Sequence, residues 1–206
     1  MELFSYLLGK KSGGGGGSLT TLEINNPIGD GMFGSNVKSV PAVTYKGYTA
    51  AGMFTNFSSA TSFDLSNFDF SGVTNLSSMF SYCSSVEELD LSMLETVDVT
   101  NISSMFDRCI NLKKVDLSNF NIVSPLTNTN NTKNMFNQCS SLEKIDIRNF
   151  DFANKIPENS LVTMFSVTLK SNCTIIVKDT EQKQFLTSKL TRFNIVTAEE
   201  YENNIE

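Results

Sequence analysis

The stretch VTNLSSMFSYCSSVEELDLS runs from Val73 to Ser92, and VTNISSMFDRCINLKKVDLS, from Val99 to Ser118, says nearly the same thing 26 residues later. The pair Met-Phe recurs at Met53-Phe54, Met79-Phe80, Met105-Phe106, Met135-Phe136 and Met164-Phe165, in steps of 26, 26, 30 and 29. Four residues after each Met stand Phe57, Cys83, Cys109, Cys139 and Thr168. Ten and twelve residues after the first four stand Phe63/Leu65, Leu89/Leu91, Val115/Leu117 and Ile145/Ile147, with Phe68, Leu94, Phe120 and Phe150 three positions further on. Fixed apolar columns at a period of about 20–30 residues mark a stack of repeated units.

Each unit has a physical reading. In ELDLS the apolar residues alternate with polar ones, so Leu89 and Leu91 point inward while Asp90 and Ser92 point out, as in a half-buried strand. In SSMFSYC, Met79 and Cys83 lie one helical turn apart behind serines able to cap, which predicts a short helix or 3₁₀ segment. One rung cannot bury its own inner face. Stacking rungs makes a continuous core and a parallel sheet with strands about 4.8 Å apart. The pattern therefore predicts an α/β repeat solenoid, with a parallel sheet and short helices, capped at both ends.

Five regions follow. Residues 1–11 place Leu3, Phe4, Leu7 and Leu8 at helical spacing, with Glu2 first and Lys10 and Lys11 last, a polarity that suits the helix dipole. So short a helix is unstable alone in water, which predicts an apolar docking peptide for a larger assembly. Residues 12–18, five glycines between two serines, form a tether with an r.m.s. span of about 14 Å. Residues 19–52, with the strand-like LTTLEI and AVTYKGY, are expected as the N-terminal cap. Residues 53–178 are the repeat body, lengthened in one step by SPLTNTNNTKN and closed by a last strand in CTIIVKD, Cys173 to Asp179. Residues 179–206 are expected as a C-terminal helical cap, in which TEQKQFLTSKLTRF turns Phe185, Leu186 and Leu190 inward. Open ends of a stack expose strand edges and need such covers.

Composition narrows the function. Histidine is absent, which removes Ser-His-Asp and Cys-His arrangements and the commonest metal ligand. Net charge is −6 with no run of Lys/Arg longer than two, so no basic stripe exists to neutralise phosphates and no nucleic-acid partner is expected. No apolar stretch reaches the roughly 18 residues of a membrane span. The opening MELFSYLLGKKSGGGGG does not read as a secretory signal, because its apolar part is short and its lysines follow rather than precede it.

The periodic polar columns read as structure. Cys83, Cys109 and Cys139 share a column that Phe57 fills in the first rung, and Phe can replace a packing thiol but never a ligand. Zinc knuckles also use far shorter spacings, so no metal and no cofactor are expected. Asp64, Asp90, Asp116 and Asp146 form an outward column whose like charges repel by roughly 1–4 kcal/mol per neighbouring pair, depending on the effective dielectric. Hydrogen bonds from Ser and Asn, solvent, or an adventitious cation would offset this. Glu87, Lys113 and Glu143 alternate in sign from rung to rung and favour one register. Asn75, Asn101 and Asn131 read as amides bridging loops. The residues left free to vary are the candidate contacts: Tyr82, Asp107, Arg108 and Gln138 beside the cysteines, and Ser92, Met93 and Arg148 on the strand face.

SSMFSYCSSVEELDLSNF, assembled across neighbouring turns, resembles the BspA-type leucine-rich repeats of bacterial surface proteins and the related 26-residue repeats of mycoplasma lipoprotein-associated families, over roughly residues 50–152. The resemblance implies a right-handed leucine-rich-repeat solenoid, a role in adhesion or protein recognition, and no catalytic residues. The ends depart from it, since those adhesins carry an export signal and an anchor. A short apolar start joined by polyglycine to a small adhesive domain resembles the virion-attached fibre or decoration proteins of tailed phages of gut bacteria. The segment TIIVKDTEQKQFL, with FNIVTAEEY after it, resembles the closing cap of repeat proteins in such phages. The expectation is a non-enzymatic, host-binding module on a virion surface. Its partners would be a host cell-surface protein or glycan and, through the N-terminal peptide, a virion structural protein. The alternatives are a purely structural capsid or tail decoration protein and a bacterial cell-surface adhesin.

Overall fold

The computed structural model describes residues 22–24, 43–45, 49–63, 65, 70–92, 94, 96–122, 126, 128–152, 154, 156, 158–165 and 168–204, with backbone alone at 22–24 and 43–45. Leu22–Ile24 (β1) pairs in parallel with Val43–Tyr45 (β2), within the two segments that read as strands. Glu88–Leu89 (β3), Lys114–Asp116 (β4), Lys144–Asp146 (β5), Thr174–Val177 (β6) and Asn194–Thr197 (β7) form a second, parallel sheet in chain order. Among the described residues the α-helices Glu158–Met164 (α1), Thr180–Lys189 (α2) and Ala198–Glu202 (α3) accompany it, making the fold α/β.

The register puts one apolar row across all five strands, Leu89, Val115, Ile145, Ile175 and Ile195, each buried. Inward residues of lookalike segments thus lie one above another, as the columns predict. The strands are short because an aspartate ends the early ones. Oδ1 of Asp90, Asp116 and Asp146 accepts the backbone N–H two residues on, at 3.0, 2.9 and 3.2 Å. Such an Asx turn diverts the chain out of the sheet.

The Met-Phe segments depart from expectation. They form no helix in residues 77–83, because Ser78 and Tyr82 hold φ of 55° and 62°, left-handed backbone that a right-handed helix excludes. Neighbouring turns place Gly52 and Asn56, Ser104 and Arg108, and Asn134 and Gln138 at the same two positions, all with positive φ. Alternate N–H groups consequently point in different directions. Those of Met79, Ser81 and Cys83 close tight turns onto Leu76, Ser78 and Phe80 at 3.2, 3.0 and 3.1 Å. Those of Ser78, Phe80 and Tyr82 donate to Ser103, Met105 and Asp107 of the next turn at 2.8, 2.9 and 2.8 Å. A second ladder of hydrogen bonds between peptide groups therefore joins the rungs outside the sheet, and each rung needs its neighbour to satisfy its backbone. In the fifth rung α1 takes over, its Thr163 and Met164 carbonyls accepting from the Asn134 and Phe136 N–H groups.

Between the ladders the columns fill the core. Phe80, Phe106 and Phe136 stack nearly parallel, with centroids 6.0 and 5.6 Å apart, and Phe54 and Phe165 extend the pile at 5.3 and 5.8 Å. Phe120 and Phe150 stack at 6.3 Å in a second column, while Phe68 lies outside the described residues. Thr132 occupies the place held by Leu76 and Ile102, fully buried with a hydroxyl that has no partner.

The C-terminal region corrects a second expectation. Cys173–Asp179 does not supply the last strand: β6 is shorter, and β7 joins the sheet after α2 has crossed. In α2, Leu186 and the following Leu190 are buried while Phe185 packs half-buried against the core. Helix α3 then folds back onto β6 and β7. Asp146 and Ile176, which face outward in the register of Asp116, are buried there, so this part of the outer face is covered. Three contacts hold α3: Lys144 over the Tyr201 ring at 5.2 Å, Arg148 to Glu202 at 2.8 Å and Lys183 to Glu200 at 2.7 Å.

Candidate functional site

The thiol column is bound into the core. Sγ–H of Cys83, Cys109 and Cys139 donates to the carbonyls of Phe54, Phe80 and Phe106 in the preceding turn, at 3.2, 3.1 and 2.9 Å. Burial pushes the Cys83 and Cys173 thiols up to about 12, and burial likewise raises Cys109, with further upward pushes from Cys139 and Cys83. A thiol so buried stays protonated and is neither nucleophile nor ligand. All four cysteines are free. The column packs the core, as its sharing with Phe57 predicts, and each thiol also ties its rung to the one before.

The aspartate column serves the Asx turns. Asp90 and Asp116 are exposed, and the Ser92 N–H holds the Asp90 carboxyl below its ordinary value. Asp64 lies outside the described residues. Asp146 is buried under Arg148, whose guanidinium grips it at 2.8 Å. Among the described residues no cluster of Cys, Asp or Glu is placed to hold a metal. The alternating charges are as expected: Lys113 meets Glu87 at 2.6 Å, and the alternation continues as Glu143 meets Lys170 at 3.0 Å. Asn75 and Asn101 accept from the N–H of Ser77 and Ser103 at 2.9 and 3.0 Å, and Asn131 donates to the Thr100 carbonyl of the previous turn at 2.7 Å.

A polar cleft of about 530 Å³ opens between Asn149–Asn154 and the start of α2, and several of its groups are engaged within the fold. Arg148 holds Asp146 and Glu202, Asp179 caps α2 through the Gln182 N–H at 3.0 Å, and Asp151 binds Asn154. Asn149 is spent on the Ser118 carbonyl. The cleft offers no nucleophile beside a free base.

The expected contacts separate. Ser92 is exposed at the end of β3, and Met93, like Leu3, Phe4, Leu7 and Leu8, lies outside the described residues. Asp107 is half-buried and accepts from Asn137 Nδ2 at 2.8 Å. Arg148 is tied to β5 and α3 and is not free on the strand face. Tyr82, Arg108 and Gln138 come together in a row with Asn56, each on the second left-handed position of its rung. Tyr82 is 43 % exposed, and Arg108 lies over its ring with Cζ 5.0 Å from the centroid. Asn56 and Asn134 were the sequence signal for this backbone, since Asn tolerates positive φ.

Residues 49–178, more than half of the chain, match the family model described as Mycoplasma protein of unknown function, DUF285. The chain belongs to this family. It is the mycoplasma repeat family linked to BspA-like proteins, and the match spans β3 to β6, both peptide ladders and the Tyr82 row. No curated protein and no solved structure matches. Among the described residues no helix is long and apolar enough to cross a membrane.

Proposed function

We propose that this chain is a leucine-rich-repeat solenoid of the BspA type, coiled right-handedly, and that it acts as a non-enzymatic recognition module displayed on a virion surface. One observation carries the reading. A left-handed residue other than Gly or Asn costs roughly 1–2 kcal/mol, yet the second such position carries Tyr82, Arg108 and Gln138. Strain kept in place at successive positions points to side chains retained for contact. Tyr and Arg are also the residues that dominate binding surfaces. The other recurring columns are occupied by packing, by Asx turns or by bonds between rungs.

The partner in this reading is a host cell-surface protein or glycan, and residues 1–11 dock the chain on a virion structural protein through the glycine tether. A triple variant, Tyr82→Asn, Arg108→Asn and Gln138→Asn, tests it, because Asn accepts the backbone and spares the fold. Particles carrying the variant should unfold at or above the parent's temperature, since Asn relieves the backbone strain, and lose adsorption to host cells. Unchanged adsorption would mean that the row is not the contact. Unchanged adsorption of particles lacking the protein altogether would favour a decoration role instead.

A further inference from the structure

Among the described arginines, Arg148 is held by two carboxylates and Arg192 donates to the Leu169 carbonyl, but the guanidinium of Arg108 makes no hydrogen bond and no ion pair. Its Nε is buried without a partner, whereas its two Nη atoms are not enclosed. The ring of Tyr82 supports it from one side at 5.0 Å. What remains is a cation stacked on an aromatic ring, with two Nη groups free to donate in parallel. That pair matches the two oxygens of a carboxylate, bound end-on.

We infer that the Tyr82–Arg108 pair is an anchor for one carboxylate on an acidic segment of a partner protein. This rests on the recognition reading above and names its chemistry. A polyphosphate chain fits poorly, since it needs many cations and here one stands beside Asp107 on a chain of net charge −6. A protein segment fits because the cation lies on an aromatic ring that is itself exposed. Ile110, two residues on, is 42 % exposed, and Tyr82 is exposed to the same degree. An exposed aromatic stacked under an arginine is the composition of a protein-binding hot spot.

The test uses the full chain and fluorescent decapeptides alternating Glu with Leu, against the same peptides with Gln for Glu, and polysialic acid as competitor. The Glu peptide should bind about tenfold more tightly than the Gln peptide, as expected for one charge pair at an interface. Arg108→Gln should abolish that preference. Arg108→Lys should lose most of it, because an ammonium has neither the fork nor the plane. Tyr82→Phe should retain it, and Lys178→Gln, on the loop after β6, should leave it unchanged. No preference in the parent chain, an equal loss with Lys178→Gln, or displacement by polysialic acid in preference to the peptide would each overturn the inference. Host adsorption is read separately: its survival in a chain that ignores the Glu peptide removes the carboxylate anchor alone, and its absence from the parent chain removes the recognition reading itself.

Discussion

Phe106 is the sharpest probe of how the rungs hold together. It is fully buried between Phe80 and Phe136, whose rings lie 6.0 and 5.6 Å away at 2° and 5° to its plane. Each such aromatic pair contributes about 0.5–1.5 kcal/mol beyond area burial, so Phe106→Leu forfeits two, or about 1–3 kcal/mol, on top of the cost of the space the smaller side chain leaves. The decisive measurement is a double-mutant cycle by urea denaturation, followed by far-ultraviolet circular dichroism. Phe80→Leu with Phe106→Leu should show a coupling of about 0.5–1.5 kcal/mol. Phe80→Leu with Phe136→Leu, two rungs apart, should add to within about 0.5 kcal/mol. That contrast is what nearest-neighbour stacking means in energy. Equal coupling in the two cycles, or none in the first, would refute it.

Thr132→Val should stabilise the chain by about 1 kcal/mol, because it removes a buried hydroxyl without a partner; a loss in the urea titration would argue against this. Arg148→Met leaves Asp146 enclosed and unpaired and should cost about 3 kcal/mol, whereas Glu202→Gln, on the exposed side of the same guanidinium, should cost less than about 1 kcal/mol. Ser104→Gly should raise the unfolding midpoint, since φ of 53° strains serine but not glycine. The relief of about 1–2 kcal/mol there outweighs the roughly 0.5–1 kcal/mol that glycine costs in chain entropy. The thiols make an alkaline test. Their folded values lie above the ordinary 9.0, so their contribution is whole below pH 9 and is lost as pH rises towards the folded values, about 12 for Cys83. A thiol reagent should label the four cysteines only after denaturant is added, and rapid labelling of the native chain would contradict their burial.

The sheet was legible because its signal is doubled. Leu89, Val115 and Ile145 alternate with polar neighbours inside one strand and recur at a fixed step between strands, and the two constraints admit one register. The Met-Phe turns were misread because Met79 and Cys83 satisfy helical spacing, while left-handed backbone at Ser78 and Tyr82 leaves no mark in side chains that are neither Gly nor, as at Asn56, Asn. β7 escaped notice because Ile195 and Val196 break the step, and their strand exists only once α2 has brought them beside Ile175 and Ile176. Of the candidate contacts, Tyr82, Arg108 and Gln138 could be picked as irregular members of a regular column, but their shared backbone state could not. Arg148 looked free because its second carboxylate, Glu202, lies 54 residues on.

The ladder outside the sheet bears on how such a chain lengthens in evolution. Its peptide groups alternate in sense, one bond inside the turn and the next across to the neighbour, so a single inserted residue would exchange donors that stay with donors that leave. Copying a whole unit by recombination keeps the alternation in phase and adds one more outward side chain to the row. The molecule can therefore change its reach in whole increments while its two ends stay as they are, and gene variants should differ by entire units within the stack and by odd residues in the connecting loops.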